Sequence, residues 1–419
     1  MLIAKILNKE QFVVNTVEPN YHILFEAAIE MNMFHDMHRL LTRFNGTHLE
    51  ALKETILQFY DILLSCSHYN LFLKEEFLVP MMFTLNFCSH YSPVRVENIL
   101  LQTLHSICVA LRQQIQSPSS KFDLFWSVCL NPSQYVQRLH RENSEDDISS
   151  PTRMSQYSAD KMHSLCDLLV NYVHRGGNLC WLSRDSLLLL AASSASNESA
   201  GYHIANDSNL CEVLATDMVV LFTNIPRQLV DSDSIDDWPK LLSEIEDQML
   251  KDHPLEQFLD HYEFCCSIVD MSNSIVKENM LACLYKGFLL PVLAPEIQST
   301  SKPELATTTV YLDRILLKSK ESILLPFLLR FLFSDRNATH SGGLTPQSFK
   351  HEITQALEQS FPLSESSLLR GSSEFASAVN QNSYVHLFFT RFEASNTLVS
   401  LTDIFLFFSA NTYLSYITC

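Results

Sequence analysis

The chain has 419 residues, 47% of them hydrophobic, which is enough to bury a sizeable core and excludes disorder along its whole length. Its formal net charge is −18, so it would be repelled by phosphate backbones and anionic bilayers, and nucleic-acid binding or direct attachment to a membrane surface is disfavoured. Eight glycines are about 2% of the chain against a usual share of roughly 7%, too few for the turns and phosphate contacts of sheet and nucleotide-binding folds.

Residues 1–130 read as successive amphipathic helices. In ALKETILQFYDILLS the residues Leu52, Ile56, Leu57, Phe59, Tyr60 and Leu63 make a stripe at helical spacing. VENILLQTLHSICVALRQQI repeats the pattern, with Pro93 just before its first turn. The aromatic series Phe25, Phe34, Phe44, Phe59 and Phe72 reads as core. Residues 131–158 are polar, mixed in charge and broken by two prolines, as expected of a loop or linker.

Residues 159–335 form the densest helical block. Met162, Leu165, Cys166, Leu169, Tyr172 and Val173 predict one helix that Gly176–Gly177 would end. A short apolar helix is expected over Arg184–Ala192, then one opened by Ser208 as N-cap. An acidic loop follows, becoming helical around Pro239. Further helices are expected over 255–270, 274–290, 304–319 and 322–333. Residues 336–380 are polar and Ser-rich, and 381–419 return to apolar content. Helices of similar length with short connections predict an all-α fold. Its expected architecture is an α-solenoid of stacked antiparallel helix pairs in the armadillo or HEAT manner, without a fixed period.

Chemistry is sparse. Neither of the common glycine-rich phosphate cradles nor a G-x-S-x-G elbow occurs, and there is no C-x-x-C. His351–Glu352 starts a zinc-like pattern whose last ligand position is Gln355. His35 and His38 share a helix face with no third donor in sequence, so a core role is the expectation. Cys265 and Cys266 are adjacent, point to different sides of a helix and read as core. The eleven cysteines, Cys66, Cys108, Cys166, Cys211 and Cys283 among them, sit mostly in apolar runs, as buried free thiols do. A cysteine hydrolase would need a histidine brought beside one of them by the fold. No catalytic, metal or cofactor residue is assigned, and no cofactor is expected. The acidic run 231–238 suits a solvated loop or a basic partner. Residues 398–419 are long enough to span a bilayer, but Asp403 and Asn411 favour a packed final helix. The four N-x-S/T sequons, at Asn45, Asn197, Asn206 and Asn337, and an opening without a signal-peptide core are read as those of a cytosolic protein.

Several strings appear together in one order: LLVNYVHRGG (168–177), RDSLLLLAASSA (184–195), YHIANDSNLCEVLAT (202–216) and LFTNIPRQL (221–229). HYEFCCSIVD (261–270), YKGFLLPVLAPEI (285–297), PELATTTVYLD (303–313) and FLLRFLF (327–333) follow. In these the chain resembles the FTS–Hook-interacting protein (FHIP) family, also described as retinoic-acid-induced 16-like. It departs from the pattern at Ala294, where glycine is expected, and in lacking the family's usual C-terminal half. The resemblance implies a non-enzymatic adaptor whose partners are a Hook coiled-coil protein and an FTS homologue. It further implies an early-endosomal Rab GTPase on the cargo side and, through Hook, dynein–dynactin. The alternative is a generic armadillo-like interaction module with other partners. Phe288, Leu289, Val292, Leu312 and Phe331 in these strings suit a core, whereas packing alone does not account for Arg227 or Asp313.

Overall fold

The structure is a computed structural model, and it describes residues 20–44, 48–66, 71–90, 92–115, 122–133, 135, 162–229 and 253–333. Among the described residues the regular structure is helical, with no strand. The helices divide between two compact units, Met1–Leu210 with Met271–Val276, and Cys211–Asp270 with Lys277–Cys419.

In the first unit the helices are α1 (Asn20–Glu30), α2 (Met33–Arg43), α3 (Leu49–Cys66), α4 (Glu75–Ser89) and α5 (Val94–Ile115). After them come α6 (Asp123–Leu130), α7 (Leu165–Val170), α8 (Asn178–Ser194) and α9 (Glu198–Asn206). The periodicity of α5 explains its burial: Val96, Leu100, Leu101, Leu104, Ile107, Cys108 and Leu111 recur at helical spacing and are fully buried.

Helix α3 runs antiparallel to α2 before it and α4 after it. Phe34 near the start of α2 stacks on Tyr60 late in α3, and Lys53 early in α3 donates to the His90 carbonyl at the end of α4. Helices two steps apart run parallel. Arg95 meets Glu54, Thr103 donates to the Leu57 carbonyl and Ser106 to Asp61, so α5 ascends alongside α3. Helix α8, three steps on from α5, also ascends alongside it: His105 pairs with Ser186, and Arg112 donates to the Ala192 carbonyl. Likewise Phe34 meets Phe77 and His38 meets Phe83, which makes α2 and α4 parallel.

The second unit holds α10 (Leu210–Thr223) from Cys211, α11 (His253–Met271) to Asp270, α12 (Ser274–Leu284) from Lys277, α13 (Ala294–Ile297), α14 (Lys302–Lys318) and α15 (Leu324–Phe333), the first turn of α12 belonging to the first unit. His261 of α11 bonds the Leu214 carbonyl and Phe258 packs on Phe222, so α10 and α11 are antiparallel. Cys283 stands near Glu212 and Phe288 packs on Phe222, further along both helices, so α10 runs parallel to α12 and the stretch that continues it.

Three sequence expectations change. The helix predicted across Met162–Val173 is only Leu165–Val170, because a capping box sets its start: Ser164 Oγ accepts from Asp167 N–H and Asp167 caps the Ser164 N–H. Tyr172 and Val173 are still buried, but in turns. Gly177, at φ +75°, stands at the N-cap of the next helix rather than ending this one. The Arg184–Ala192 helix is longer, Asn178–Ser194: buried Ser186 and Ser194 bond back to the Leu182 and Ala191 carbonyls of the same helix, and Ser183 donates across to the Leu169 carbonyl of α7. Finally, the helix expected to stop near Pro291 continues to Ile297 through a π-helix, Tyr285–Leu293. A proline in an α-helix collides with the carbonyl four residues back, and the wider π turn makes room for it.

This stretch, Ser274–Ile297, is long and apolar enough to cross a membrane by length and composition. Its residues Met280, Leu284, Phe288, Leu289 and Leu293 are buried, with Phe288 against Phe222 and Phe258, as in a core helix.

Candidate functional site

Among the described residues, no group of three or more His, Cys, Asp or Glu converges as a metal site. His38 lies against the Phe83 ring, its Nδ1 buried without a hydrogen-bond partner. Burial, then the charge of His35, lowers its pKa to about 4, so the half-buried imidazole is neutral at pH 7. Cys265 and Cys266 are both buried in α11, in keeping with their reading as core. Burial raises the thiols of Cys88, Cys166 and Cys266 to about 12, which removes them as nucleophiles at neutral pH. The acidic run 231–238, His351–Gln355, residues 398–419, residues 336–380 and all of the expected loop 131–158 except 131–133 and 135 lie outside the described residues, as does the Cys66 side chain.

The aromatic series is core at Phe34, Phe59 and Phe72, which are buried, and at Phe25, which packs on Phe34 and Phe77. Phe44 departs from it: it follows the last residue of α2 and is 46% exposed. Phe288, Leu289 and Phe331 are buried, whereas Val292 and Leu312 are only half-buried. Asp313 is half-buried on α14.

Arg227 has a structural explanation. Its Nε lies 3.2 Å from Oε1 of Glu296, a carboxylate whose side chain is only 13% exposed. On the same strand of chain the Pro226 carbonyl accepts from Tyr311 Oη at 2.8 Å, and Leu229 N–H reaches Thr307 Oγ1 at 3.4 Å. The string LFTNIPRQL therefore leaves α10 pinned at three successive points by α13 and α14. These bonds fix the path of the chain and offer no reacting group.

Sequence reasoning overlooked two asparagines with comparable roles. Asn86, buried in α4, brackets the backbone of His163, accepting from its N–H at 2.8 Å and donating to its carbonyl at 3.0 Å. Asn273 donates to the Ala195 carbonyl at 3.1 Å and accepts from Ile275 N–H at 3.0 Å, capping α12 while tying off α8. The one signal in sequence was an Asn–Ser pair before a helix. The site chemistry is that of a positioned scaffold.

A model of the retinoic acid induced 16-like protein family matches residues 26–382. The chain belongs to this family. The human FHF complex subunit HOOK-interacting protein 1A is 30% identical over 286 residues, 68% of this chain and 24% of the relative. A FHIP family protein of Anopheles gambiae is 30% identical over 294 residues, 69% of this chain and 26% of its own length. The Danio rerio FHF complex subunit HOOK-interacting protein 1B is 30% identical over 280 residues, 66% and 22% respectively. The chain thus spans about a quarter of the length of the curated relatives it matches. Membership of this family is consistent with a non-enzymatic scaffold.

Proposed function

We propose that this FHIP-family chain is a cytoplasmic adaptor, peripheral on endosomal vesicles, that links cargo to a Hook protein and so to dynein–dynactin. An FTS homologue would complete the complex, and an early-endosomal Rab GTPase would mark the cargo side. The observation that carries this reading is the family match over most of the chain, with relatives named for interaction with HOOK. The helical rows support it. Alternate helices running parallel within each unit are what an α-solenoid of the armadillo or HEAT kind produces, and such a fold presents long ridged faces to helical and globular partners. Within it, 159–335 is the segment bearing the family strings, between polar stretches at 131–158 and 336–380, with 1–130 and 381–419 flanking.

Tagged chain expressed in its own cells and purified at moderate salt should retain a Hook and an FTS homologue. A clean preparation holding neither sinks the adaptor reading. The second reading, a helical interaction module with other partners, is favoured by the quarter-length coverage alone. A parallel purification of a longer relative separates the two: Hook on the relative and absent from this chain supports the module.

A further inference from the structure

We propose that α2 is latched onto α4 through His38, and that proton uptake by this imidazole releases α2 from the first unit. The latch stands on the packing of the seam. His38 faces the Phe83 ring at 5.7 Å between centroids, one turn from Phe34, which is fully buried against Phe77 at 5.0 Å. Its Nδ1 is buried with no acceptor to receive a second proton. An imidazolium there would be a desolvated cation with an unpaired N–H.

No neighbouring charge offsets that. On α2 itself His35 adds like charge, while Asp36 and Arg39 pair with each other at the surface. From α1, Glu26 pairs with Lys74. From α3, Lys53 is bonded to the His90 carbonyl, Glu54 to Arg95 and Asp61 to Ser106, and Glu50 is exposed. From α4, Glu75 and Glu76 stand two turns before Phe83, in the first turn of the helix. Among these, His35 is the group whose charge acts on the ring.

The closed form holds His38 at a pKa of about 4, and the open form returns it to the ordinary 6.5. The open form therefore binds the extra proton between those limits, and opening is favoured as pH falls through that window. One linked proton raises the opening equilibrium roughly five-fold from pH 6.5 to 5.5, and roughly seven-fold again to 4.5. The latch is independent of the adaptor reading.

Amide hydrogen exchange on the whole chain, corrected for intrinsic rates, tests it. Peptides covering 33–43 should lose protection by those factors while peptides covering 94–111 do not, and His38→Phe should abolish the dependence. Protection of α2 that is indifferent to pH, or a dependence that persists in His38→Phe, overturns the latch. Should that variant fail to fold, deuterium exchange at the imidazole C2 of the unaltered chain decides: a His38 midpoint near 4 supports the latch, and one near 6.5 overturns it.

Discussion

A Cβ built on Gly201 would stand 2.7 Å from Cγ of Asn273, inside any real contact distance. Gly201 is buried in α9, and Asn273 reaches across it to tie the end of α8 and cap α12. In an open helix, Gly→Ala gains up to about 1 kcal/mol. Here the sign reverses: Gly201→Ala should destabilise the first unit by about 1–3 kcal/mol, as overpacking does. Urea denaturation followed by helical circular dichroism checks this. In Gly201→Ala/Asn273→Gly the clash is gone, because the Asn273 Cβ, itself 2.9 Å from the added methyl, is removed as well, so the double variant should be more stable than the sum of the single losses. Additive losses would show the contact to be inert.

Gly287 in the π-helix makes the opposite case. Its added Cβ would lie 3.6 Å from the Cβ of Ala215, an ordinary contact. Gly287→Ala should be neutral or stabilising by up to about 1 kcal/mol, through reduced freedom of the unfolded chain. Gly287→Leu should cost about 1–3 kcal/mol, because α10 stands in the way. A common loss in both variants would mean that the π segment itself requires glycine.

Ion pairs should differ by burial. Arg175 Nη1 lies 2.6 Å from Oε2 of Glu97, whose side chain is 12% exposed. Arg39 and Asp36 sit together at the surface, 57% and 61% exposed. Arg175→Ala leaves a carboxylate partly desolvated without its partner and should cost about 1–3 kcal/mol. Arg39→Ala should cost under about 0.5 kcal/mol. Equal melting temperatures for the two variants would contradict this ordering.

The helices of longest periodicity were the most legible. In α3 and α5 the apolar spacing gave both position and buried face, because the apolar stripe is the packed side. The misreadings have local causes that the hydrophobic pattern does not carry, polar bonds in two helices and a proline in a third. Ser164 and Asp167 shortened α7, self-bonded serines concealed the length of α8, and the π turn carried α12 past Pro291. Phe44 was misassigned because periodicity does not say where a helix ends, and one residue past the end it faces solvent. Arg227 stood out in sequence, yet its partner Glu296 is 69 positions away and only the fold brings them together. The tasks of Asn86 and Asn273 were illegible for the same reason.

The cysteines give a test of folding that needs no partner. Burial raises Cys88, Cys166 and Cys266 to about 12, and lifts Cys108 and Cys129 as well. At pH 8 these thiols are neutral and shielded, whereas in an unfolded chain they return to the usual thiol range and a substantial fraction ionises. Maleimide labelling of the native chain, read by mass spectrometry, should therefore leave these five unmodified while labelling all of them in urea. Cys283, only half-buried, should react first among the described thiols of the second unit. Because attack requires opening, the labelling rate of Cys166 should track the unfolding equilibrium and rise in Gly201→Ala. Rapid native labelling of Cys108 or Cys129 would mean that the packing of α5 on α6 and α7 is open in solution.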